Sequence, residues 1–456
     1  MSDGKQILGI KIVKLDAENG ILEQTDLKGE SNMRLSISNF TKIKKADILI
    51  DGITVIAGEN NTGKSTIGKI LFSLFNSMND IEEKIREQRA KEIEEACRVM
   101  LRSRVMTKLE RITFAKIARD IIDENDIEKI DKDAIYYIIE TSANWIIKHS
   151  LLEKNTEEVL EPLVEKIISI LEVPEEKLIL EVLTRYFGTV FYKQINSLIS
   201  NEKDAELELE IKGRTINLMF SNHECVECSR DILLMHKALY IDNPFVVDKL
   251  RTYGELNPMD KILKELLMGD DEKDVLDGII ESVLVKEKLE VIYSVLGNVV
   301  EGNILKKQND EYYLEQKDFQ EPILLNNLST GLKAFVLLKM LLEKGVLKEK
   351  DVLILDEPEI HLHPQWQIAY AELIVLLQKH FELSIVVATH SPYFLDAINL
   401  YSIKYGIDNK VNYYLSSMNN NCVEMELVTK EIDKIYKKMA TPIQALNTLR
   451  HELNHS

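Results

Sequence analysis

Apolar positions along this chain change period several times, and each change marks an element. Residues 33–37 (MRLSI) alternate, and 47–57 (DILIDGITVIA) ends in an unbroken apolar run, so both read as strands. GENNTGKSTIGKILFSLF follows, predicting a strand–loop–helix unit. From 79 to 200 apolar residues recur every three or four positions, as in NDIEEKIREQRAKEIEEACRVML and NTEEVLEPLVEKIISILEV, which predicts helices. AELELEIKGRTINLMF then alternates, with Leu207, Leu209 and Ile211 before a glycine-containing turn and Ile216, Leu218 and Phe220 after it, as a hairpin does. The run in KALYIDNP is expected to re-enter the core sheet. Helices over 257–300 and a second hairpin, GNILKKQNDEYYLEQ, turning at 308–310, come next.

The last third alternates strand and helix: DVLILDEP, PQWQIAYAELIVLLQKHF, LSIVVATHSP. That order implies parallel strands joined by crossover helices. A strand pair (NKVNYYL, CVEMELV) and a final amphipathic helix, KEIDKIYKKMATPIQALNTLRHEL, complete the pattern. The acidic GDDEKD at 269–274 reads as a solvated loop. The expected class is α/β, a mixed sheet with crossover helices split by a mainly helical insertion. Its segments are 1–78, 79–235 and 236–456.

Composition narrows this only a little. At 456 residues the chain exceeds a typical single domain, which fits a core plus an insertion. It is 45% hydrophobic and 29% charged, as a folded chain should be. No stretch reaches the roughly 18 uninterrupted apolar residues of a membrane span, and MSDGKQILGIKIVKL lacks the order of a secretion signal. Four cysteines make no disulfide framework, so a reducing cytoplasm is expected, with no membrane partner. The net charge of −19 argues against wrapping nucleic acid with the whole surface, although it leaves room for a local basic groove.

The candidate chemistry lies at strand ends. GENNTGKST fits G-x-x-x-x-G-K-[ST] at Gly58, Gly63, Lys64 and Ser65. In such a loop, backbone N–H groups curl around phosphate oxygens and the following helix start adds a favourable dipole. Gly58, Glu59, Asn60, Asn61, Thr62, Gly63, Lys64, Ser65 and Thr66 are therefore assigned to nucleotide binding. Lys64 would reach the β- and γ-phosphates of ATP, and the Ser65 hydroxyl would ligate Mg²⁺. VLILDEPE, 352–359, supplies a strand that delivers Asp356 to the metal, with Glu357 beyond it as general base for the attacking water. VVATHSP, 386–392, ends a third apolar run at His390, which would touch the γ-phosphate or that water.

These motifs, with NNLSTGLK at 326–333, occur in the order found in ABC-type ATPases. The chain resembles the branch holding RecF, SMC/Rad50 and OLD-like proteins. DEPEIHLHP followed by an aromatic-rich helix looks like the OLD-like defence ATPases. The resemblance covers 33–77 and about 320–396. It implies that two copies pack head to tail, each lending Ser329 and Gly331 to the γ-phosphate held by the other. Leu332 departs from the pattern, since relatives usually carry Gln or Glu there. By the same resemblance Asn39 and Phe40 would lie near the base, and His361 and His363 on the dimer seam. The family's Q-loop glutamine is not placed; Gln88 lies in a helical pattern, as a surface residue would. The organisation is similar to the ATPase subunits of Septu, PARIS and retron-associated anti-phage systems. That implies a sensor or regulator of a separate effector, such as a nuclease, because no carboxylate-rich nuclease domain fits after ATHSPYFL. The alternative is a RecF- or SMC-like ATPase that binds DNA itself.

Two further motifs point elsewhere. HELNH at 451–455 matches a zinc-protease pattern, but the third ligand would have to come from another part of the fold. The bland reading is the exposed end of the last helix. HECVEC offers His223, Cys225 and Cys228 as three of four zinc ligands, with His236 or Cys97 to complete the set; otherwise these are two cysteines in a turn.

Overall fold

The computed structural model describes residues 33–101, 108–124, 131–150, 156–199, 204–251, 254, 256–269, 289–307 and 311–455. The N-terminal stretch, most of the acidic loop and the expected turn at 308–310 lie outside them. The chain divides into two units, one formed by 1–79 with 184–456 and one by 80–183.

The first unit begins with β1 (Met33–Phe40), β2 (Ile43–Ile50) and β3 (Ile53–Gly58). The stretch 47–57, expected as one strand, is thus two. The chain turns at Asp51 and Gly52, where Gly52 has φ +61° and a Cβ would lie 2.2 Å from the Lys410 carbonyl oxygen. The signal was the Asp51-Gly52 pair, a turn dipeptide between two apolar stretches, which the sequence reading passed over. Helix α1 (Lys64–Met78) follows β3.

The second unit contains α2 (Ile81–Leu101), α3 (Lys108–Glu124), α4 (Lys132–Ser150), α5 (Thr156–Leu171) and most of α6 (Glu175–Val190). It has a core of its own, built from Ile93, Cys97, Phe114, Ile117, Ile139, Leu163 and Ile167 among others. Arg89 is buried there and donates to the Val173 carbonyl at 2.7 Å.

Back in the first unit come β4 (Ala205–Ile211), β5 (Arg214–Ser221), β6 (Glu224–Arg230) and β7 (Ala238–Ile241). The expected hairpin is β4–β5, and β4 pairs antiparallel with β1, Leu209 opposite Leu35. It gains a third strand that patterning missed. HECVEC enters β6 rather than a turn, pairing antiparallel with β5 across a register shift at Met219 and Phe220. Helix α7 (Pro258–Met268), helical residues 289–297 (α8), and strands β8 (Asn303–Lys306), β9 (Tyr312–Glu315) and β10 (Ile323–Leu324) precede α9 (Thr330–Glu343). The rest is β11 (Val352–Asp356), α10 (Pro364–Phe381), β12 (Ser384–Thr389), α11 (Pro392–Tyr405), β13 (Val411–Asn419), β14 (Cys422–Leu427) and α12 (Asp433–His455).

Among the described residues eleven strands make one sheet in the order β6-β5-β4-β1-β2-β14-β13-β3-β12-β11-β7, and β8–β10 make a second. Strands β13, β3, β12, β11 and β7 run parallel, while β1, β2, β4, β5 and β6 form an antiparallel wing. The mixed sheet and crossover helices match the sequence reading. Strands β3, β7, β11 and β12 are buried almost throughout, as parallel strands covered on both faces are, whereas β13 mixes apolar and polar positions. Their C-terminal ends fall along one edge, and the candidate residues stand there.

Candidate active site

Lys64 begins α1 directly after Gly63, which has φ +79°, and no side chain caps the helix. The Thr66 N–H donates to the Gly63 carbonyl at 3.1 Å; with no side-chain cap, the remaining first-turn N–H groups suit an anion. The loop is held from inside and behind. Thr62 Oγ1 donates to the Glu59 carbonyl at 2.7 Å, and Ser416 Oγ on β13 donates to the Thr62 carbonyl. A Cβ on Gly58 would lie 2.2 Å from the Ser416 carbonyl oxygen, so only glycine lets the loop leave β3 against β13. Lys64 is 4% exposed; its Nζ donates to the carbonyls of Gly58 (3.1 Å) and Glu59 (2.8 Å) and lies 3.6 Å from Glu357 Oε1. Glu59, Asn60 and Asn61 are exposed at the loop tip. Lys42 reaches Asn61 Oδ1 at 3.0 Å, and Lys438 reaches Glu59 Oε1 at 3.0 Å.

Ser65 Oγ donates to Asp356 Oδ1 at 2.9 Å, bringing together a hydroxyl and a carboxylate separated by 291 residues. Tyr240, on β7 and almost fully buried, donates its hydroxyl to Asp356 Oδ2 at 2.6 Å. Burial first, and then the Asp356 charge, hold that phenol well above its ordinary range, so it stays a donor. Gly68 admits this arrangement: a Cβ there would lie 2.7 Å from Ile354 and 3.0 Å from the Tyr240 ring. Sequence reasoning missed Tyr240, although it did place KALYIDNP in the sheet.

Glu357 has φ +51°, an uncommon conformation for a residue other than glycine. Its N–H donates to the Ala388 carbonyl on β12 at 2.8 Å. The carboxylate lies between Lys64 Nζ and His390 Nδ1, the latter 3.5 Å away. His390 Nδ1 is also 3.7 Å from Oε1 of Glu359, a second residue that sequence reasoning passed over. Glu359 is 2% exposed and accepts from Thr389 Oγ1 and from the N–H groups of His390 (3.0 Å) and Ser391 (3.2 Å). Burial raises its pKa, while these hydrogen bonds and the His390 charge oppose the rise. Its only signal was position, two residues beyond Glu357 at the end of VLILDEPE.

Ser329, Gly331, His361 and His363 gather elsewhere. With Thr330 and Trp366 they line a cleft of about 560 Å³ that no phosphate-loop residue lines. Ser329 caps α9, its Oγ accepting from the Leu332 N–H at 3.4 Å. Gly331 is packed so closely that a Cβ would lie 2.9 Å from the His361 carbonyl oxygen and 3.0 Å from the Trp366 ring. Leu332 packs against the core. Lys333 is buried, its Nζ donating to Asp248 Oδ2 at 2.8 Å and to the Asn326 carbonyl at 2.9 Å.

The remaining candidates take structural places. Phe40 is buried in an aromatic cluster with Phe187, Phe191 and Phe220, and Asn39 Nδ2 donates to the Asp204 carbonyl at 3.3 Å. Gln88 sits exposed on α2, bonded to Glu92. His223 Nδ1 accepts from the N–H groups of Ile195 and Asn196, both at 3.1 Å. Burial pushes the Cys225 thiol up to about 12 and Cys228 up to about 11, and among the described residues no group of three or more His, Cys, Asp or Glu is placed to hold a metal ion. His236 faces Asp351 at 3.2 Å, and Cys97 is buried in the helical core with its thiol pushed up to about 12. His451 and Glu452 are exposed on α12. No described helix is long and apolar enough to cross a membrane.

Among solved structures the chain is similar to the SMC head domain from Thermotoga maritima, at 13% identity over 88% of this chain and 99% of that one, with TM-score 0.38. It is also similar to the Smc head domain with an extended coiled coil bound to the C-terminal domain of ScpA derived from Pyrococcus furiosus, at 12% identity, 92% and 100% coverage, and TM-score 0.34. A third is cbiO1 from Clostridium perfringens, part of the ABC transporter complex cbiONQ, at 14% identity, 92% and 99% coverage, and TM-score 0.33. A family profile described as an AAA ATPase domain matches residues 33–395, from the first strand through the phosphate loop, Asp356, Glu357 and His390. The chain belongs to the AAA ATPase domain family.

Proposed function

We propose that this chain binds ATP and hydrolyses it at a site completed by a second copy of itself. The observation that carries the reading is the corner at the ends of β3, β11 and β12. Lys64, Ser65, Asp356, Glu357 and His390 converge there from three separate parts of the sequence. The loop N–H groups and Lys64 would take the phosphates. Ser65 Oγ and Asp356 Oδ1 are hard oxygen donors 2.9 Å apart, a pair that fits Mg²⁺. When bound, Mg²⁺ would neutralise charge on the β- and γ-phosphate oxygens. Glu357, 3.6 Å from Lys64 Nζ and 3.5 Å from His390 Nδ1, would accept a proton from the attacking water.

The cleft around 329–331 supports the two-copy reading. Its hydroxyl and helix-start N–H groups suit an anion, yet no residue of this chain's own phosphate loop lines it. A second copy placed head to tail would present its triphosphate there. We propose further that closure of this dimer switches a separate effector protein, a reading that rests on the likeness of DEPEIHLHP to the OLD-like defence ATPases. Co-purification from the native locus without a second protein would count against that part.

Glu357→Gln tests the core of the proposal. ATP affinity should hold while hydrolysis falls about a hundredfold or more, and sedimentation should show an ATP-dependent dimer that persists. Ser329→Arg in that background should abolish the dimer. Normal turnover by Glu357→Gln would remove the general-base assignment, and a protein that stays monomeric with ATP would remove the composite site.

A further inference from the structure

Glu59 sets a carboxylate in the loop that gathers phosphates, and an anion there opposes a triphosphate ligand. Its backbone is fixed: the carbonyl accepts from Thr62 Oγ1 at 2.7 Å and from Lys64 Nζ at 2.8 Å. The same Lys64 would hold the β- and γ-phosphates, so the Glu59 charge is close enough to act on them through a Debye length of about 8 Å. The side chain is exposed, and what holds it is Lys438, whose Nζ lies 3.0 Å from Glu59 Oε1. Among the described residues no other cation pairs with Glu59, since Lys42 reaches the neutral Asn61 instead. The two paired side chains are 42% and 62% exposed, and an ion pair so open to water contributes little to stability. Its place at the loop is better explained by the ligand than by the fold. Lys438 is also held in position by its own helix. Ile435, fully buried, seats α12 together with Tyr436 and Met439, which pack against the core. The Tyr436 hydroxyl donates to Asp396 Oδ1 at 2.9 Å, so this end of the helix is anchored where Lys438 meets the loop.

We infer that Lys438 is a positioning residue of the nucleotide site: it holds the Glu59 carboxylate off the phosphates and cancels its charge. This rests on the proposed binding of ATP at the loop. With Lys438 in place, the loop N–H groups and Lys64 meet the triphosphate unopposed. Without it, the Glu59 side chain can rotate toward the ligand while Thr62 and Lys64 keep its backbone where it is. The penalty grows with ligand charge, so ATP loses more than ADP, and it fades as salt screens it. The last helix of the chain is thereby drawn into a site otherwise built at the ends of β3, β11 and β12.

Lys438→Met removes the ammonium and keeps a stem of similar length. Calorimetric titration of the full chain with ATP and Mg²⁺ should show affinity down about fivefold or more at low salt. The loss should be smaller for ADP and should shrink as salt rises, with the melting temperature near wild type. Lys438→Arg keeps the charge and should restore binding. Adding Glu59→Gln to Lys438→Met should recover most of the lost affinity, because the group that Lys438 restrains is gone. Full ATP affinity in Lys438→Met overturns the inference. So does a double variant as weak as Lys438→Met, which would make Lys438 a direct phosphate ligand. Equal losses for ATP and ADP with a lower melting temperature would reduce Lys438 to an anchor for α12, and overturn it too. Wild-type protein that binds no ATP would sink the proposed function as well, a result distinct from each of these.

Discussion

Lys64 shows how much of this site is settled by single side chains. A buried ammonium needs acceptors, and it finds two carbonyls of its own loop and the Glu357 carboxylate. The motif named Lys64 because its spacing from Gly58 is fixed by how a loop must wind around phosphate. It could not name Tyr240, whose hydroxyl reaches Asp356 only because β7 lies beside β11. Tyr240→Phe keeps the ring and removes that donor. Hydrogen bonds to charged groups contribute about 1.5–3 kcal/mol, so the melting temperature should drop. With Asp356 less firmly held, hydrolysis should also require more Mg²⁺. An unchanged melt and Mg²⁺ titration would show that water replaces the phenol at no cost.

Strands and helices were legible wherever a period held for more than a few residues. The alternation of Leu207, Leu209, Ile216, Leu218 and Phe220 became β4 and β5, and the unbroken runs in 352–355 and 385–388 became parallel strands with both faces covered. Period alone failed where a two-residue turn parts two apolar stretches, as at Asp51 and Gly52, or where a polar stretch pairs onto an edge, as β6 does. Gly331 carries a prediction at this scale. Alanine ordinarily favours a helix over glycine by about 1 kcal/mol, so Gly331→Ala should stabilise α9 if only propensity counted. A Cβ 2.9 Å from the His361 carbonyl reverses the sign: thermal unfolding should occur earlier, and the cleft should no longer support an ATP-dependent dimer. A higher melting temperature would show that Trp366 and the 361–363 turn move aside.

For the molecule as a whole, the charge of −19 per copy sets the terms of association. Two such copies repel one another, and salt screens the repulsion within a Debye length of about 8 Å at physiological strength. ATP-dependent dimerisation by Glu357→Gln should therefore tighten as salt rises from low to physiological. Weakening instead would reveal complementary patches on the facing surfaces. DNA binding by this protein alone would also weaken with salt, through counterion release, and a filter-binding series separates the two.

Sequence alone determined the α/β class, the phosphate loop and the acids at the strand ends, because local spacing suffices to state what a loop or strand end must do. It also named Ser329 and Gly331 through their place in the motif order. What tertiary structure decided is which strands neighbour one another: β13 behind the loop, β7 beside Asp356, and the 389–391 turn resting on Glu359. Neighbours in a sheet are chosen by burial summed over the whole core, and no short stretch of residues carries that sum.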